Sequence, residues 1–371
     1  MSRVAVVGAG AAGLAAAKRL SDSGVTIRIL DKGKGVGGRL ATRSVAEARL
    51  DHGAQFFTAR SPAFEALAGG WVDRGVAYEW CQGFTGRPDG HPRFAGRSGM
   101  TSLAKDLASG LDVSASCRVT SIRPHSEGWL LETTSGLFGP VDAVILNPPA
   151  PQTLELLAGM DVAPRAIDEL SALRYEPAMA ALVVLDDPAS VPFPGGIKIC
   201  DGPVSWVADN QTKGVSAVPA VTIHGRGAWS HSVWDRPAAE VLSVMLDAAK
   251  PYLGGAQWPG DLLQSATATR PCAAQPAEAG KQPLEAQRRE AQPHGPATDE
   301  PGTPAPSSGT QLQLQRWRYA TPVTSHEQRC LVLVDSSRPI VAAGDAFGEA
   351  KVEGAVLSGW AAADEILYRL L

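Results

Sequence analysis

The sequence predicts an α/β fold in which a parallel sheet, layered with helices, is interrupted by a mostly antiparallel inserted sheet. Three observations predict this fold. A valine-rich N-terminal segment runs directly into a glycine-rich turn and then into a stretch of good helix formers. The C-terminal end has the order buried strand, Gly-Asp turn and amphipathic helix. Between these two ends, short runs rich in Val, Thr and Trp alternate with Gly and Pro.

Length and composition exclude several classes of protein. At 371 residues the chain exceeds one ordinary core, so we expect two substructures, and its 44% apolar content is ordinary for a globular protein. The net charge of −4 provides no basic excess for binding nucleic acid. The five cysteines are scattered singly, and no apolar run reaches the length of a membrane span. We therefore expect a soluble cytoplasmic protein with no metal site and no membrane or nucleic-acid partner.

The N-terminal segment predicts a dinucleotide-binding turn. Its elements follow in the order strand, turn, helix and strand over residues 3–7, 8–13, 14–20 and 25–30. Gly8 permits the sharp turn, Gly10 lets the backbone approach a pyrophosphate, and Gly13 lets the helix pack closely on the strand. Asp31, about 20 residues further on, is placed to accept hydrogen bonds from ribose hydroxyls. A glycine-rich turn without a ligand is the alternative interpretation.

A second glycine-rich loop follows Asp31 and favours FAD over NAD. It contains four glycines and closes on Arg39. An arginine beside the first loop can make charge-assisted hydrogen bonds to a pyrophosphate, while glycines let extended backbone lie along the cofactor. We count Lys32, Gly38 and Arg39 among the cofactor-binding residues. A flexible surface loop with a solvated arginine is the alternative.

Two segments resemble the flavin-binding segments of amine-oxidase-type flavoproteins, and most closely those of renalase-like flavoproteins. They are Gly-Gly-Arg-Leu-Ala-Thr at 37–42 and Asp-His-Gly-Ala-Gln-Phe-Phe at 51–57. Further similar segments follow in the family's order at 98–107, 117–122, 141–149, 315–318, 343–345 and 353–355. The resemblance spans nearly the whole chain with one gap. It implies a Rossmann-like FAD-binding domain with an inserted substrate domain, in a p-hydroxybenzoate-hydroxylase-like or amine-oxidase-like topology.

The resemblance also implies which residues hold a noncovalent FAD. The matching positions are Ala12, Arg39, Gln55, Phe56 and Asp345, with Val119 meeting adenine through its backbone and Gly354 and Ala355 near the isoalloxazine ring. At the C-terminus, Gly344 frees the chain to turn and Asp345 can hydrogen-bond a ribityl hydroxyl. The start of the final helix, near Glu353, would place positive partial charge beside N1 and O2 of the flavin.

The same comparison of patterns predicts the domain boundaries. We assign 1–59, 95–150 and 335–371 to the FAD-binding domain, and 60–94 and 151–334 to the substrate domain. Strand-like runs at 178–185, 204–208 and 220–224 and an amphipathic helix at 237–253 support the inserted sheet. Residues 271–311 are rich in Pro, Ala, Glu and Gln and lack aromatic residues, so we predict a disordered insertion there.

Renalase-like flavoproteins oxidise aberrant dihydro isomers of NAD(P) that carry the hydride on the wrong ring carbon. The resemblance therefore implies hydride transfer to flavin N5, release of NAD(P)+ and reduction of oxygen to hydrogen peroxide, a reaction that needs no general base. Candidate substrate contacts are His224, Asn210, Trp206, Trp317 and Arg318. Each also has a plain interpretation: a buried hydrogen-bonded histidine, a turn asparagine, core tryptophans and a surface arginine.

Two other functions stay open at the level of sequence. An amine oxidase of the same fold would present two aromatic rings beside the substrate amine, and Tyr175, Trp206 and Tyr319 are candidates for these rings. A non-catalytic FAD-binding redox or scaffold protein could instead bind a partner through 271–311.

Overall fold

The structure is a computed structural model that describes residues 2–84, 89–255, 267–269 and 311–370. The strands in this part of the chain are β1 (Arg3–Val7), β2 (Thr26–Leu30), β3 (Thr42–Val45), β4 (Ala48–Asp51), β5 (Ala77–Cys81), β6 (Arg93–Gly96), β7 (Val113–Ser114), β8 (Val119–His125), β9 (Gly128–Thr133), β10 (Gly136–Val141), β11 (Ala143–Leu146), β12 (Tyr175–Val184), β13 (Gly196–Lys198), β14 (Val204–Asp209), β15 (Ala220–Gly225), β16 (Thr267–Thr269), β17 (Gln311–Pro322), β18 (Leu331–Val334) and β19 (Ile340–Ala342). The helices are α1 (Ala11–Asp22), α2 (Pro62–Asp73), α3 (Thr101–Leu107), α4 (Ala150–Leu156), α5 (Pro164–Ala172), α6 (Gly227–Ser232), α7 (Ala238–Ala249) and α8 (Val352–Leu370).

The first sheet has the order β18-β19-β11-β1-β2-β7. Its strands β19, β11, β1, β2 and β7 are parallel, and β18 is antiparallel to β19. Strands β1 and β11 are buried over nearly their whole length, because helices α1 and α8 cover one face while the β8–β10 meander and α4 and α5 cover the other. The parallel α/β fold expected from the N-terminal valines is confirmed.

The second sheet has the order β13-β14-β15-β12-β17-β16 and is antiparallel except for the parallel pair β16 and β17. One face packs on α7, whose buried residues Val241, Leu242, Met245 and Leu246 follow the predicted helical spacing. The opposite face contacts the first domain: Leu182 and Val184 pack against Ala48 and Leu50 of β4. Strand β4 therefore brings residues 51–57 onto the inserted sheet.

The domain boundaries stay a prediction, and the sheets and cores show which elements pack together on either side of them. Strand β18 pairs with β19, so the parallel sheet takes in residues before 335. Helix α2 packs with α1, α3 and α8, and helices α4 and α5 pack beneath the parallel sheet, although all three fall within the predicted substrate segments. The apolar face of each of these helices packs against the layer nearest to it in space. The spacing of apolar residues in the sequence does not show which layer that is. The predicted insertion at 271–311 lies outside the described residues except for Gln311, which begins β17.

Two features of the described residues concern membrane spans and metal sites. Among these residues no helix combines the length and the apolar character that crossing a bilayer requires. The same part of the chain contains no cluster of three or more His, Cys, Asp or Glu side chains arranged to hold a metal ion.

Candidate active site

The first glycine turn lies between β1 and α1, at the carboxyl edge of the parallel sheet. Gly8 has φ +100°, a left-handed conformation that favours glycine. A β-carbon on Gly13 would lie 2.1 Å from the carbonyl oxygen of Gly8, so helix α1 can approach the turn this closely only with glycine there. The turn has the shape that the sequence predicts.

Asp31 connects this turn to the second glycine loop. Its Oδ2 accepts a hydrogen bond from the amide of Ala9 at 2.6 Å, and its Oδ1 accepts one from the amide of Gly33 at 2.6 Å. The neighbouring Lys32 donates to Oε1 of Gln152 at 2.9 Å. Contact between Asp31 and a ribose stays a prediction, while its role in shaping the two loops is directly visible.

The second loop and the C-terminal Gly-Asp meet at one ion pair. Arg39 donates two hydrogen bonds to the carboxylate of Asp345, at 2.6 and 2.7 Å, across 306 positions of sequence. The amide of Gly37 donates to the carbonyl oxygen of Ala9 at 2.8 Å, which holds the two glycine loops together. The amide of Gly344 donates to Oγ of Ser358 in α8 at 2.9 Å. The sequence-predicted Gly38, Arg39, Gly344 and Asp345 therefore lie at one edge of the sheet with the first turn.

Glu353 is bound to another helix. Its side chain is only 3% exposed, and its carboxylate accepts hydrogen bonds from the amides of Arg60 and Ser61, at 3.1 and 2.7 Å. These amides precede the first residue of α2, so Glu353 joins the starts of α2 and α8. Gly354 packs so closely that an added β-carbon would lie 2.0 Å from the carbonyl oxygen of Glu349, and Ala355 is buried beside it. Ala12 in α1 packs against Gly359 in α8. A β-carbon added to Gly359 would lie 2.1 Å from the carbonyl oxygen of Ala12.

Residues 51–57 form the centre of the candidate site, because the inserted sheet holds them from the far side. The amide of Asp51 donates to Oδ1 of Asn210 at 3.2 Å, and Thr222 donates from its hydroxyl to the carbonyl oxygen of Asp51 at 2.9 Å. Nε2 of Gln55 donates to the same carbonyl oxygen at 2.6 Å. Asn210 therefore supports this segment, and its Nδ2 is bonded to Thr222 at 3.0 Å.

Two histidines and two tryptophans meet above this segment. His52 stacks on Trp317 with ring centroids 5.1 Å apart, and Nε1 of Trp317 donates to the carbonyl oxygen of His52 at 2.8 Å. His224 on β15 lies directly opposite Trp206 on β14 in the strand register. The predicted residues His224, Trp206 and Trp317 are thus brought together, and His52 joins them.

Both histidines are held in the neutral form. Burial lowers the pKa of His52 to about 3, assisted by the nearby charges of Arg43 and His224. Burial also lowers the pKa of His224 to about 4, against a hydrogen bond with the backbone of His52 that raises it. A histidine pair that stays neutral at physiological pH can donate or accept hydrogen bonds without introducing positive charge.

Aromatic rings extend this surface on one side. The ring of Phe56 lies 5.0 Å from Phe84 and 5.9 Å from Trp206, measured between centroids. Trp80 joins the same cluster at 6.3 Å from Phe56, and its Nε1 donates to the carbonyl oxygen of Pro194 at 2.8 Å. Phe56 therefore belongs to a cluster with the inserted sheet.

The structure separates Arg318 from the other candidate substrate contacts. Its guanidinium lies over the ring of Trp234, 5.0 Å from the centroid. Arg316 lies two positions earlier in β17, on the same face of the strand. It donates to the carbonyl oxygens of Trp234 and Arg236, so both arginines point toward α6 and α7. Trp317 lies between them in sequence and points to the opposite face. Contact between Arg318 and a substrate stays a prediction, and its guanidinium lies apart from the other four candidates.

Sequence reasoning missed one buried residue of the site. Lys213 lies in the turn after β14, yet its side chain is 0% exposed and its ammonium pairs with Asp51 at 2.7 Å. A single lysine between Thr212 and Gly214 is typical of a solvated turn. Nothing in the local pattern distinguishes it from such a lysine.

The described residues fit a flavin dinucleotide. Seven buried side-chain polar atoms have no hydrogen-bond partner among them, and four of the seven belong to residues of the candidate site: Nδ1 of His52, Oε1 of Gln55, Nε1 of Trp206 and Nε2 of His224. His52 and Gln55 belong to residues 51–57, and Trp206 and His224 belong to the inserted sheet that contacts this segment. Buried polar atoms are ordinarily bonded, so unsatisfied donors and acceptors at one place indicate a bound ligand.

Comparison with known proteins agrees with the fold. Residues 77–367 match the family model described as flavin containing amine oxidoreductase, and residues 6–70 match the NAD(P)-binding Rossmann-like domain. The chain belongs to the flavin-containing amine oxidoreductase family, and membership implies an FAD cofactor.

Among curated proteins, renalase from Mus musculus is 33% identical over 171 residues, which cover 42% of this chain and 49% of that protein. The chain thus matches about half the length of this relative. Among solved structures, a putative protoporphyrinogen oxidase from Exiguobacterium has a TM-score of 0.64 at 14% identity, covering 98% of both chains. Wild-type putrescine oxidase bound to putrescine has a TM-score of 0.63 at 15% identity, covering 99% of both chains. These structural likenesses show the amine-oxidase-like fold.

Proposed function

We propose that this FAD-dependent oxidoreductase is an oxidase of aberrant dihydro-NAD(P) isomers, which it returns to NAD(P)+ with reduction of oxygen to hydrogen peroxide. The observation that carries the proposal is the neutral aromatic surface made by His52, His224, Trp206 and Trp317. The renalase match supports it, since 33% identity extends over 171 residues.

The surface suits a dihydronicotinamide ring, which is planar, uncharged and carries a carboxamide. A tryptophan face can stack on such a ring, and the free Nε1 of Trp206 can donate a hydrogen bond to the carboxamide oxygen. Nε2 of His224 can bond the same group in either direction, depending on its tautomer. Loss of a hydride from this ring restores an aromatic nicotinamide directly, so the site needs no group that removes a proton.

FAD, when bound, supplies the hydride acceptor and the route for electrons to oxygen. The residues proposed to hold it lie in the two glycine loops, in residues 51–57, at the start of β8 and at the start of α8. They are Gly8, Gly10, Ala12, Gly13, Asp31, Lys32, Gly38, Arg39, Gln55, Phe56, Val119, Gly344, Asp345, Glu353, Gly354 and Ala355. We propose a noncovalent complex.

An amine oxidase is the second candidate, and one observation favours it. Tyr175 and Tyr319 form an edge-to-face pair with ring centroids 5.7 Å apart. Burial raises the pKa of Tyr175 to about 12, so its phenol stays neutral. The hydroxyl of Tyr175, however, accepts a hydrogen bond from the amide of Ala150 at 3.2 Å, which gives this ring a role in the fold. The scaffold alternative depends on 271–311, almost all of which lies outside the described residues.

The visible spectrum under anaerobic conditions tests the proposal. A dihydro-NAD isomer mixture, ordinary NADH and putrescine are added separately to the FAD-loaded protein. We expect rapid bleaching of the flavin band by the isomer mixture, with NADH as the matched control that carries the hydride on the usual carbon. Bleaching by the amine alone would support the amine oxidase instead. Failure to bind FAD would overturn both.

A further inference from the structure

Lys213 is fully buried, and its ammonium makes two hydrogen bonds and one contact with an aromatic ring. Its ammonium donates to Oδ2 of Asp51 at 2.7 Å and to the carbonyl oxygen of Gln55, and it lies 5.0 Å from the ring centroid of Trp80. The side chains of Lys213 and Asp51 are both 0% exposed. The turn itself is held by the hydroxyl of Tyr78, which donates to the carbonyl oxygen of Lys213.

Asp51 is equally well bonded on its other side. Its Oδ1 accepts hydrogen bonds from the hydroxyl of Thr42 and from the amide of Met100, the latter at 2.8 Å. The carboxylate therefore joins β3, the start of α3 and the turn that carries Lys213. Burial lowers the pKa of Lys213, and the neighbouring carboxylate of Asp51 opposes this shift.

A buried ion pair of this kind is a poor way to stabilise a fold. Desolvating two charges offsets most of their attraction, and apolar residues of the same volume often give equal or greater stability. The pair is therefore better explained by what it holds in place. Its partner atoms belong to the segment that carries His52, Gln55 and Phe56.

Gln55 is the residue that this arrangement orients. Lys213 binds its carbonyl oxygen, while its Nε2 donates to the carbonyl oxygens of Asp51 and Gly53, at 2.6 and 3.2 Å. Its Oε1 is buried and has no partner among the described residues. Backbone and side chain are thus both fixed, and one buried acceptor of this side chain is left without a partner among the described residues.

We propose that Lys213 is a positioning residue of the redox site: through Asp51 and the carbonyl oxygen of Gln55, it holds Oε1 of Gln55 in the orientation that FAD binding requires. The proposal rests on the FAD site proposed above. Lys213 lies in the turn after β14 of the inserted sheet, outside every cofactor motif of the sequence, and the proposal gives it a functional role.

The test compares three variants. Lys213→Met removes the ammonium. D51N/K213M removes both ionisable groups and keeps an acceptor for Thr42 and Met100. Met245→Ala, a buried position of α7, is a control that lowers stability away from the site. FAD is titrated into each apoprotein to obtain Kd, and the visible spectrum and thermal unfolding of each holoprotein are recorded. We expect Kd to rise at least tenfold and the flavin band to shift in both Lys213 variants. M245A should lower the unfolding temperature without changing Kd or the band.

A double-mutant cycle with Gln55→Ala identifies the route of the effect. If Lys213 acts through Gln55, the FAD Kd of K213M/Q55A is nearly that of Q55A alone. If K213M does not fold, D51N/K213M takes its place in the cycle. Wild-type Kd and spectrum in D51N/K213M, or fully additive effects with Q55A, would overturn the positioning role. Failure of both Lys213 variants to fold would make the pair a requirement of folding alone and would also overturn it.

Failure of the proposed function gives a different result. A wild-type protein that binds FAD but is not bleached by the isomer mixture disproves the substrate, and Kd still reports on Lys213. A wild-type protein that does not bind FAD disproves both.

Discussion

The glycine turn after β1 and the contact between residues 51–57 and the inserted sheet are built in different ways. The turn is made of neighbours in sequence, and backbone geometry determines its shape: Gly8 at φ +100° and Gly13 against the carbonyl oxygen of Gly8. The contact at 51–57 is made of side chains from the turn after β14, from β15 and from β17, which lie more than 150 positions away. A local motif can thus be recognised from sequence, whereas a site at a domain contact depends on which buried groups meet.

Gly13→Ala should have the largest effect, because a backbone atom cannot move aside for the added carbon 2.1 Å away. We expect about 3 kcal/mol or more of destabilisation and loss of FAD binding, measured by urea unfolding and FAD titration. Gly69→Ala in α2 is the matched control, since nothing lies within 4 Å of its added carbon. Unchanged stability and Kd in G13A would contradict the role of the close approach.

Asp51→Asn tests the contact between residues 51–57 and the inserted sheet, again through the free energy of unfolding. It leaves the ammonium of Lys213 buried beside a neutral group, so we expect a loss of about 3–5 kcal/mol in the free energy of unfolding. Asp364→Asn breaks the exposed pair between α1 and α8 and should lower the same free energy by less than about 1 kcal/mol. Equal losses would show that burial does not distinguish the two pairs.

The buried histidines predict acid sensitivity of this contact. In the unfolded chain His52 and His224 take up protons near pH 6.5, whereas in the folded protein they do so only near pH 3 and 4. The unfolded state therefore binds more protons between these values, so stability is complete above about pH 6.5 and falls on acidification. The loss should approach about 1.4 kcal/mol per pH unit for each histidine.

Urea unfolding at pH 7.5, 6.0 and 5.0 measures this dependence. His224→Asn should reduce the slope, and His231→Gln, at an exposed position in α6, should keep it. A free energy of unfolding that stays constant from pH 7.5 to 5.0 would argue against neutral buried histidines.

The smallest expected effect compares the two faces of β17. Trp317→Phe keeps an aromatic ring but removes the hydrogen bond to the carbonyl oxygen of His52, so we expect a loss of about 1 kcal/mol, or roughly fivefold in kcat/KM. Arg318→Met lies on the opposite face and should leave kcat/KM unchanged. Stopped-flow reduction by the dihydro-NAD isomer mixture measures both, and a larger loss in R318M would reverse our assignment of the faces.

The parts of the fold that sequence analysis predicted are those where adjacent residues decide the structure. The N-terminal strand, turn, helix and strand appear with bounds Arg3–Val7, Ala11–Asp22 and Thr26–Leu30, and helix α7 buries the residues that its spacing indicated. The layer that α2, α4, α5 and β18 join is visible only in the structure, because their apolar faces match either layer. The pattern of such a face says that it is buried but does not say against which partner.

The sequence by itself determined the class of protein: the α/β fold, the flavin family and the residues of the two glycine loops all follow from contiguous motifs. Only the tertiary structure decided how the site is completed. It placed Lys213 in the interior, stacked His52 on Trp317 and directed Arg318 away. The physical reason is that burial and pairing are properties of atoms brought together across the fold, and these properties set the charge of a lysine or a histidine.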